Sequence, residues 1–396
     1  MELSLNSDQL QFKDSIRRFL ADRSEQELRH APTVEQRRAT WDALAELGVQ
    51  GLVVPEKLGG FSGAPEDLAV VAIELGREPV GTPRFEMAVL AAQIMCAVES
   101  EAAARLREQF VAGELRPAFA AYEAADDFDL AQIKAEVSDA DGGFRLSGHK
   151  IMVVNGDDAN LLIVVAKHAD GRFMVFAVDP AAEGISVSSY QLADYTPSAD
   201  IRFDAVFIPQ EALLLSGVQA KTRLQKCIDQ AMVMLCASVV GSMERSIERT
   251  REFLDVREQF GKPLSHNQSL QHQVADLYIK TTDCRSMVYR AIAAVHSDAV
   301  EAARAAAACK VKICEAARFV TGQALHLHGG IGFTTEYPIG HHFRRAFVDE
   351  KMFGDTEYHL TRFLALSADS SSNKAGDEEQ KLDPISGVDM CSRQRS

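Results

Sequence analysis

The spacing of the apolar residues changes twice along the chain, and this change limits the fold more than any other feature. In the first part of the chain, apolar side chains recur at helical spacing. From about Pro117 they alternate with polar ones, which is typical of half-buried strands, and from about Pro209 to Leu366 the helical spacing returns. Strands grouped between two helical regions predict an α+β fold rather than the strand–helix alternation of a Rossmann fold.

The same changes divide the sequence into segments. We predict an N-terminal all-α domain at 1–116, a middle β domain at 117–213, a C-terminal four-helix bundle at 214–366 and a disordered tail at 367–396. The bundle is predicted from three long segments with helical spacing, at 231–253, 270–295 and 300–327. The tail is predicted from its many Ser, Asp, Glu and Lys residues and its few apolar ones.

Period-two patterns place five strands in the β domain. They are predicted at 133–137, 144–146, 161–165, 173–178 and 201–208. The Asp- and Gly-rich segment 139–143 is typical of a hairpin turn between the first two strands.

Composition excludes several classes of protein. The formal net charge of −15 and the absence of a Lys/Arg-rich block argue against a nucleic-acid partner. The seven cysteines form no CxxC or Cys/His cluster, so we predict no metal site and reduced thiols. The N-terminus lacks the pattern of a signal peptide, and the longest apolar run, 231–240, is too short to cross a bilayer. A cytoplasmic protein without membrane contact is therefore predicted.

Two motifs in the second helical region identify a family. The first is the Arg-Glu-Gln-Phe-Gly-Lys-Pro-Leu segment at 257–264, followed by Gln268, and the second is the segment from His326 to Pro338, which contains Gly329-Gly330. In order, spacing and position after a β domain, they resemble the acyl-CoA dehydrogenase family, over all of the chain except the tail. The segments 128–130 and 353–360 most resemble the small subunit of pimeloyl-CoA dehydrogenase-like heteromers.

The resemblance implies an FAD-dependent flavoprotein that converts an acyl-CoA thioester to the trans-2-enoyl-CoA. It also implies that Arg257 reaches the flavin pyrophosphate in a neighbouring protomer and that Phe260 packs beside the adenine end. The Gly329-Gly330 backbone would donate N–H groups to phosphate oxygens, and His326 stands where the family usually has Gln. The cofactor-binding residues implied are Arg257, Phe260, Gln268, His326, Gly329 and Gly330. Without the resemblance, Arg257 is typical of a surface ion pair and the two glycines of a turn.

The catalytic base of the family has no counterpart in this sequence. The usual position of the glutamate, about twenty residues after the glycine pair, is Phe353, and the alternative position on an earlier helix is Ala231. Asp355 and Glu350 lie near the first of these positions. We expect Asp355 to cap a helix and Glu350 to be a solvated charge, so the catalytic residue stays unassigned.

The β domain also departs from the family pattern. Met152 replaces the tryptophan that covers the flavin ring, and Val154 replaces the threonine that bonds its N5 edge. The loop 122–129 lacks the family's Gly-Ser and carries Asp126 and Asp127 beside an expected phosphate, which is electrostatically unfavourable. The sequence therefore predicts that this chain binds flavin poorly on its own β domain.

The pattern of losses favours one half of a heteromer. Residues that serve a neighbour's cofactor are kept, whereas those for the chain's own flavin and base are lost. A homologous partner subunit, in a heterotetramer, would then hold FAD and supply the base. One alternative is a self-sufficient homo-oligomeric dehydrogenase or oxidase with Asp355 or Glu350 as base, and another is a non-catalytic acyl-CoA- or protein-binding scaffold. The acyl chain and the electron acceptor, for which electron-transfer flavoprotein is a candidate, stay open.

Overall fold

The computed structural model describes residues 5–21, 31–124, 128–295 and 297–379, with side chains up to residue 368. The N-terminal region is helical, and its apolar faces join one core with the rest of the molecule. α5 is buried along almost all of its length and packs against α7 and the edge of the sheet. The helices of this region are α1 Ser7–Ala21, α2 Val34–Glu46, α3 Val49–Val53, α4 Pro65–Gly76, α5 Phe85–Cys96 and α6 Glu101–Val111.

The middle region is a single eight-stranded sheet. Its strand order is β6-β7-β3-β2-β4-β5-β8, and β1 pairs in parallel with β4. The predicted hairpin between β2 and β3 is confirmed, with Gly142 at φ +76° in the turn. The strands are β1 Pro117–Ala120, β2 Glu136–Ala140, β3 Gly143–Val154, β4 Leu161–His168, β5 Phe173–Val178, β6 Ile185–Gln191, β7 Pro197–Pro209 and β8 Leu213–Ser216.

Three of these strands are absent from the sequence prediction. β6 is exposed along nearly its whole length, and its alternation of apolar and polar residues breaks at Ser188-Ser189, so the pattern is too short to mark a strand. β1 and β8 are only four residues long, too short to show a period. Residues 133–135, predicted as strand, precede β2 without joining it.

The C-terminal region is a bundle of four long helices with a shorter fifth, α10, packed against α9. Among the described residues, α7 is the one helix long and apolar enough to cross a membrane, but 83% of its most apolar window is buried in the protein. The elements are α7 Ala220–Val256, a small hairpin of β9 Glu258–Gln259 and β10 Lys262–Pro263, α8 Gln268–Ala294, α9 Ala299–His328, α10 Ile339–Lys351 and α11 Thr356–Glu379.

The last helix runs into the segment that the sequence predicts to be disordered. α11 extends to Glu379, so residues 367–379 are helical. No proline interrupts this segment, so no residue in it lacks the backbone N–H that a helix requires. Residues 380–396, the rest of the predicted tail, lie outside the described residues.

A buried ion network joins the three regions. Arg84, just before α5, donates to Asp194 in the β6–β7 turn at 2.7 Å and to Asp349 on α10. Arg345, also on α10, donates to Asp349 at 3.1 Å. Burial alone would lower the pKa of Arg84, but the carboxylates of Asp349, Asp194 and Glu86 raise it. Arg84 therefore stays protonated in the network although it is buried.

Candidate flavin-contact face and active site

The position of the family's base is the turn between α10 and α11, and a phenyl ring occupies it. Phe353 is 2% exposed and has a φ of +60°, which is uncommon for a residue with a side chain. Lys310, itself buried, donates to the carbonyls of Asp349 and Met352, and His359 Nε2 donates to the Phe353 carbonyl at 2.9 Å. These contacts hold the turn in a conformation that buries an apolar side chain.

The two carboxylates proposed as substitutes are engaged elsewhere. Asp355 accepts from the Tyr358 backbone N–H at 3.0 Å and from Lys351 Nζ at 2.7 Å, so it caps α11 as the sequence predicts. The hydrogen bond from Lys351 lowers the pKa of Asp355, which makes it a weaker base. The Glu350 side chain is only 14% exposed and lies 3.5 Å from Arg318. The prediction that Glu350 is a solvated charge is therefore wrong, because α9 supplies a partner that its sequence neighbours do not reveal.

The second position for a base, on α7, is also apolar. Ala231 is fully buried. The acid closest to it in sequence, Asp229, forms two hydrogen bonds of 2.6 Å with Arg362 on α11. This bidentate pair neutralises the carboxylate and links α7 to α11.

On the strand that the resemblance places beside the flavin ring, the backbone N–H of Met152 is already hydrogen-bonded to neighbouring side chains. Met152 lies at a bulge in β3 and has a φ of +52°. Its N–H points to the Tyr190 hydroxyl at 3.1 Å and to Asp200 Oδ1 at 3.3 Å, and Tyr190 donates to the same carboxylate at 2.8 Å. Partial burial and this carboxylate raise the pKa of Tyr190 to about 12. Val154 is buried and offers no hydrogen-bonding group. No sequence motif marks the pairing of Tyr190 with Asp200.

A largely buried ion pair joins Glu123 to β3. Lys150 is fully buried, and its ammonium donates to Glu123 at 2.6 Å and to the Ala121 carbonyl at 3.0 Å. Glu123 also accepts from two backbone N–H groups, those of Lys134 and Ala135. Burial would raise the pKa of Glu123, but Lys150 and these N–H groups lower it. Asp126 and Asp127, predicted to disfavour a phosphate, lie outside the described residues.

Aromatic side chains link the β domain to the bundle beside this loop. The Phe128 ring lies edge-on to Tyr122 at 5.7 Å and to Tyr358 of α11 at 6.3 Å between ring centroids. Phe128, at φ +64°, stands where the family has the serine of its Gly-Ser pair. The Phe128 ring therefore connects the β domain to α11.

The first family motif faces outward at the end of α7. The Arg257 backbone is fixed, because its N–H donates to the Phe253 carbonyl and its carbonyl accepts from Leu264, both at 2.9 Å. Its side chain is exposed and forms no ion pair with any described residue, so the structure gives no support to a surface ion pair. Phe260, at the tip of the β9–β10 hairpin, is 96% exposed, and Gln268 is exposed at the start of α8.

The second motif lies at the same end of the bundle. The Phe253 and His328 rings stack at 4.5 Å, which places the end of α9 against the end of α7. His326 is exposed, and a Cβ built on Gly329 or Gly330 would meet no atom within 4 Å. Gly329 adopts φ +63° with ψ −143°, a conformation nearly restricted to glycine. We call these residues the flavin-contact face, after the role that the family resemblance predicts for them: Arg257, Phe260, Gln268, His326, Gly329 and Gly330.

Among the described residues, no group of three or more His, Cys, Asp or Glu side chains is arranged to hold a metal ion. The described cysteines are free, and all but the half-buried Cys96 are buried.

Comparison with known proteins assigns three domains of one family along the chain. Models of the acyl-CoA dehydrogenase N-terminal, middle and C-terminal domains match residues 6–104, 118–206 and 222–365. The acryloyl-CoA reductase (NADH) of Anaerotignum propionicum is 26% identical over 383 residues, covering 91% of this chain and 94% of that protein. A variant of the Tcur3481–Tcur3483 steroid ACAD has a TM-score of 0.83 at 28% identity, covering 93% of this chain and all of that one.

A further solved structure shows the same fold at lower identity. The ChsE4–ChsE5 complex from Mycobacterium tuberculosis has a TM-score of 0.81 at 23% identity, covering 93% of this chain and 99% of that one. The predicted α+β fold of helical domain, β domain and helical bundle is thus confirmed. The chain belongs to the acyl-CoA dehydrogenase family, whose members are FAD-dependent flavoprotein oxidoreductases acting on acyl-CoA.

Proposed function

We propose that this chain is the subunit without a base in a heteromeric acyl-CoA dehydrogenase, which converts an acyl-CoA to the 2-enoyl-CoA. A homologous partner subunit would hold most of the FAD and remove the α-proton. The observation that carries this proposal is the burial of Phe353 where the base should be, while the flavin-contact face is exposed.

The residues of this chain at the family's flavin and base positions do not suit a flavin. The Met152 N–H is directed to Tyr190 and Asp200, and Val154 offers no hydroxyl to the N5 edge. The Phe128 ring, at the position of the family's loop serine, lies edge-on to Tyr358 and offers no hydroxyl to a phosphate. No carboxylate of the α10–α11 turn is free to accept a proton, since Asp355 is held by Lys351.

The exposed face suits a cofactor held mainly by another subunit. The guanidinium of Arg257 offers a fixed, bidentate positive charge to a pyrophosphate. The ring of Phe260 offers an apolar surface to an adenine, and the open backbone at Gly329-Gly330 leaves room for phosphate oxygens. These residues would bind and orient the FAD. The bound FAD would supply the hydride acceptor, and the partner would supply the base.

Two structural relatives support the proposal. One is the ChsE4–ChsE5 complex, so this fold occurs in an assembly of two different chains. The other, the Tcur3481–Tcur3483 steroid ACAD, likewise carries the names of two chains. We leave the acyl group and the electron acceptor of this chain unassigned, with electron-transfer flavoprotein as a candidate acceptor.

The test is the flavin content of the chain with and without a partner. We would purify the chain alone, identify an acyl-CoA dehydrogenase-like partner by pull-down, and quantify FAD from the visible spectrum of each preparation. We expect little flavin in the isolated chain, and stoichiometric flavin with dehydrogenase activity in the heteromer. Stoichiometric FAD and activity in the homogeneous chain would overturn the proposal.

The same preparations separate the alternatives. A self-sufficient enzyme would lose its activity on Asp355→Asn or Glu350→Gln in the isolated chain, whereas the heteromer would keep most of its turnover. A non-catalytic scaffold would bind no flavin in any mixture and would show no activity. The resemblance to the small subunit of pimeloyl-CoA dehydrogenase-like heteromers stays a prediction, which the identity of the partner would decide.

A further inference from the structure

Three rings meet where the ends of α7 and α9 come together, next to the flavin-contact face. Phe253 stands one turn before Arg257, and His328 is the last residue of α9, directly before Gly329. The Phe253 and His328 rings stack with their centroids 4.5 Å apart and their planes at 29°. The Tyr337 ring lies 5.1 Å from the His328 ring and 6.3 Å from the Phe253 ring. Each ring therefore lies beside the other two, and we call Phe253, His328 and Tyr337 the ring cluster.

His328 is held on several sides in the ring cluster. The residue is only 4% exposed, and its Nδ1–H donates to the Ala324 carbonyl at 2.7 Å, since a carbonyl oxygen can only accept. Gly332, from the turn that follows α9, packs closely against it, and a Cβ built on Gly332 would lie 3.1 Å from the His328 Cβ. Burial lowers the pKa of His328 below its ordinary value, so the imidazole is neutral at pH 7. The ring therefore acts through its shape and its stack on Phe253 rather than through charge.

The backbone connects the ring cluster to both parts of the flavin-contact face. The Phe253 carbonyl accepts from the Arg257 N–H at 2.9 Å, so the position of Phe253 fixes the start of the Arg257 side chain. On the other side, His328 leads directly into Gly329, whose N–H donates to the His326 carbonyl. The stack of Phe253 on His328 is thus a direct side-chain contact between the segment that carries Arg257 and the segment that carries the glycine pair.

We propose that His328 is a positioning residue for the flavin-contact face. Its ring holds the end of α7 against the end of α9 and so sets the distance between Arg257 and Gly329-Gly330, which must reach the same cofactor. The inference rests on the proposed function, because that cofactor is the FAD of the heteromer. The Phe253 ring meets His328 nearly face to face, so the stack requires a flat ring at this position. A phenyl ring should therefore replace the imidazole, whereas an aliphatic side chain of similar size should not.

Hydrogen–deuterium exchange of the isolated full chain tests the link between the two helices without the cofactor. At pH 7.5 we expect His328→Leu to raise amide exchange in segments 253–264 and 329–333 at least about fivefold, because the ends of α7 and α9 would open more often. His328→Phe should leave these exchange rates unchanged. His272→Asn, at an exposed position on α8, is the control and should exchange like the unmodified chain.

The FAD affinity of the heteromer tests the consequence for the cofactor. By equilibrium dialysis, His328→Leu should weaken FAD binding at least about tenfold, whereas His328→Phe should stay within about threefold of the unmodified heteromer. Arg257→Ala should then weaken FAD binding less in the His328→Leu background than in the unmodified chain, because the guanidinium has already lost its place. A role of His328 in overall stability alone would leave the effect of Arg257→Ala unchanged.

Three results would reject the role of His328. They are unchanged exchange in a folded His328→Leu chain, exchange in His328→Phe as fast as in His328→Leu, and effects of His328→Leu and Arg257→Ala on FAD affinity that simply add. An unmodified heteromer that binds no FAD would reject the proposed function instead, and the exchange rates alone would then decide whether His328 joins α7 to α9. Circular dichroism would establish folding of the variants. If His328→Phe does not fold, Phe253→Tyr and Phe253→Leu test the same stack from α7, and only the second should speed exchange.

Discussion

At the residue scale, Arg257 has a fixed backbone and an exposed guanidinium, which suit the contact with FAD that we propose for it. Both its backbone polar groups are bonded, to Phe253 and Leu264, whereas its guanidinium has no partner among the described residues. Ionic hydrogen bonds contribute about 1.5–3 kcal/mol each, so we expect Arg257→Ala to weaken FAD binding by the heteromer about ten- to a hundredfold. The FAD affinity of the Arg257→Lys heteromer should lie between those of the unmodified and Arg257→Ala heteromers, because an ammonium keeps the charge but does not reproduce the bidentate geometry.

Equilibrium dialysis of FAD against the heteromer measures this effect. Arg251→Ala is the matched control, since Arg251 is also exposed near the end of α7 but lies outside the motif. Equal affinities of the Arg257→Ala and Arg251→Ala heteromers would show that Arg257 does not contact the cofactor.

At the scale of elements, the turn between α10 and α11 predicts a pH dependence of stability. Burial lowers the pKa of His359 to about 3, because the charged imidazolium would lose its hydration. In the unfolded chain its pKa is near 6.5, so between these values the unfolded state binds a proton that the folded state does not. Stability should therefore fall as the pH drops below 6.5, by about 2 kcal/mol at pH 5 from this group alone.

Urea unfolding at pH 7 and pH 5 measures this loss. His359→Asn keeps a side-chain donor but cannot take up a proton. The decrease in its free energy of unfolding from pH 7 to pH 5 should therefore be about 2 kcal/mol smaller than that of the unmodified protein. His272→Asn, at an exposed position on α8, is the control and should behave like the unmodified protein. The same loss in all three proteins would mean that His359 does not titrate in this way.

The elements also show which parts of this structure a sequence can predict. α7, α8 and α9 were predictable because their buried faces repeat at helical spacing over many turns. β6 was not, since its alternation of apolar and polar residues lasts for only four residues before Ser188-Ser189 breaks it. In the candidate site, the motif positions and the loss of the base at Phe353 follow from the sequence alone. The contacts of Met152 with Tyr190 and Asp200 do not, because they join residues about forty positions apart through the register of β3, β7 and β6.

At the scale of the whole molecule, the buried charges around Arg84 connect the three regions. Arg84, Asp194 and Asp349 each come from a different region, and all three side chains are at most 3% exposed. Removing one member of a buried ion pair leaves an uncompensated charge, which typically costs about 3–5 kcal/mol. We therefore expect Arg84→Met to lower the free energy of unfolding by about 3–5 kcal/mol and to make the segments between the regions more sensitive to protease.

The surface pair of Arg105 with Glu101 provides a control within the same domain. Its atoms lie 3.7 Å apart and its side chains are 72% and 96% exposed, so Arg105→Met should change stability by less than about 1 kcal/mol. Denaturant unfolding of both variants compares the two pairs directly, and limited proteolysis reports whether the three regions separate. Similar small changes for Arg84→Met and Arg105→Met would show that apolar packing alone joins the regions. A large loss for Arg84→Met, with cleavage between the β domain and the bundle, would show that the network fixes the orientation of the bundle, and with it the orientation of the proposed flavin-contact face.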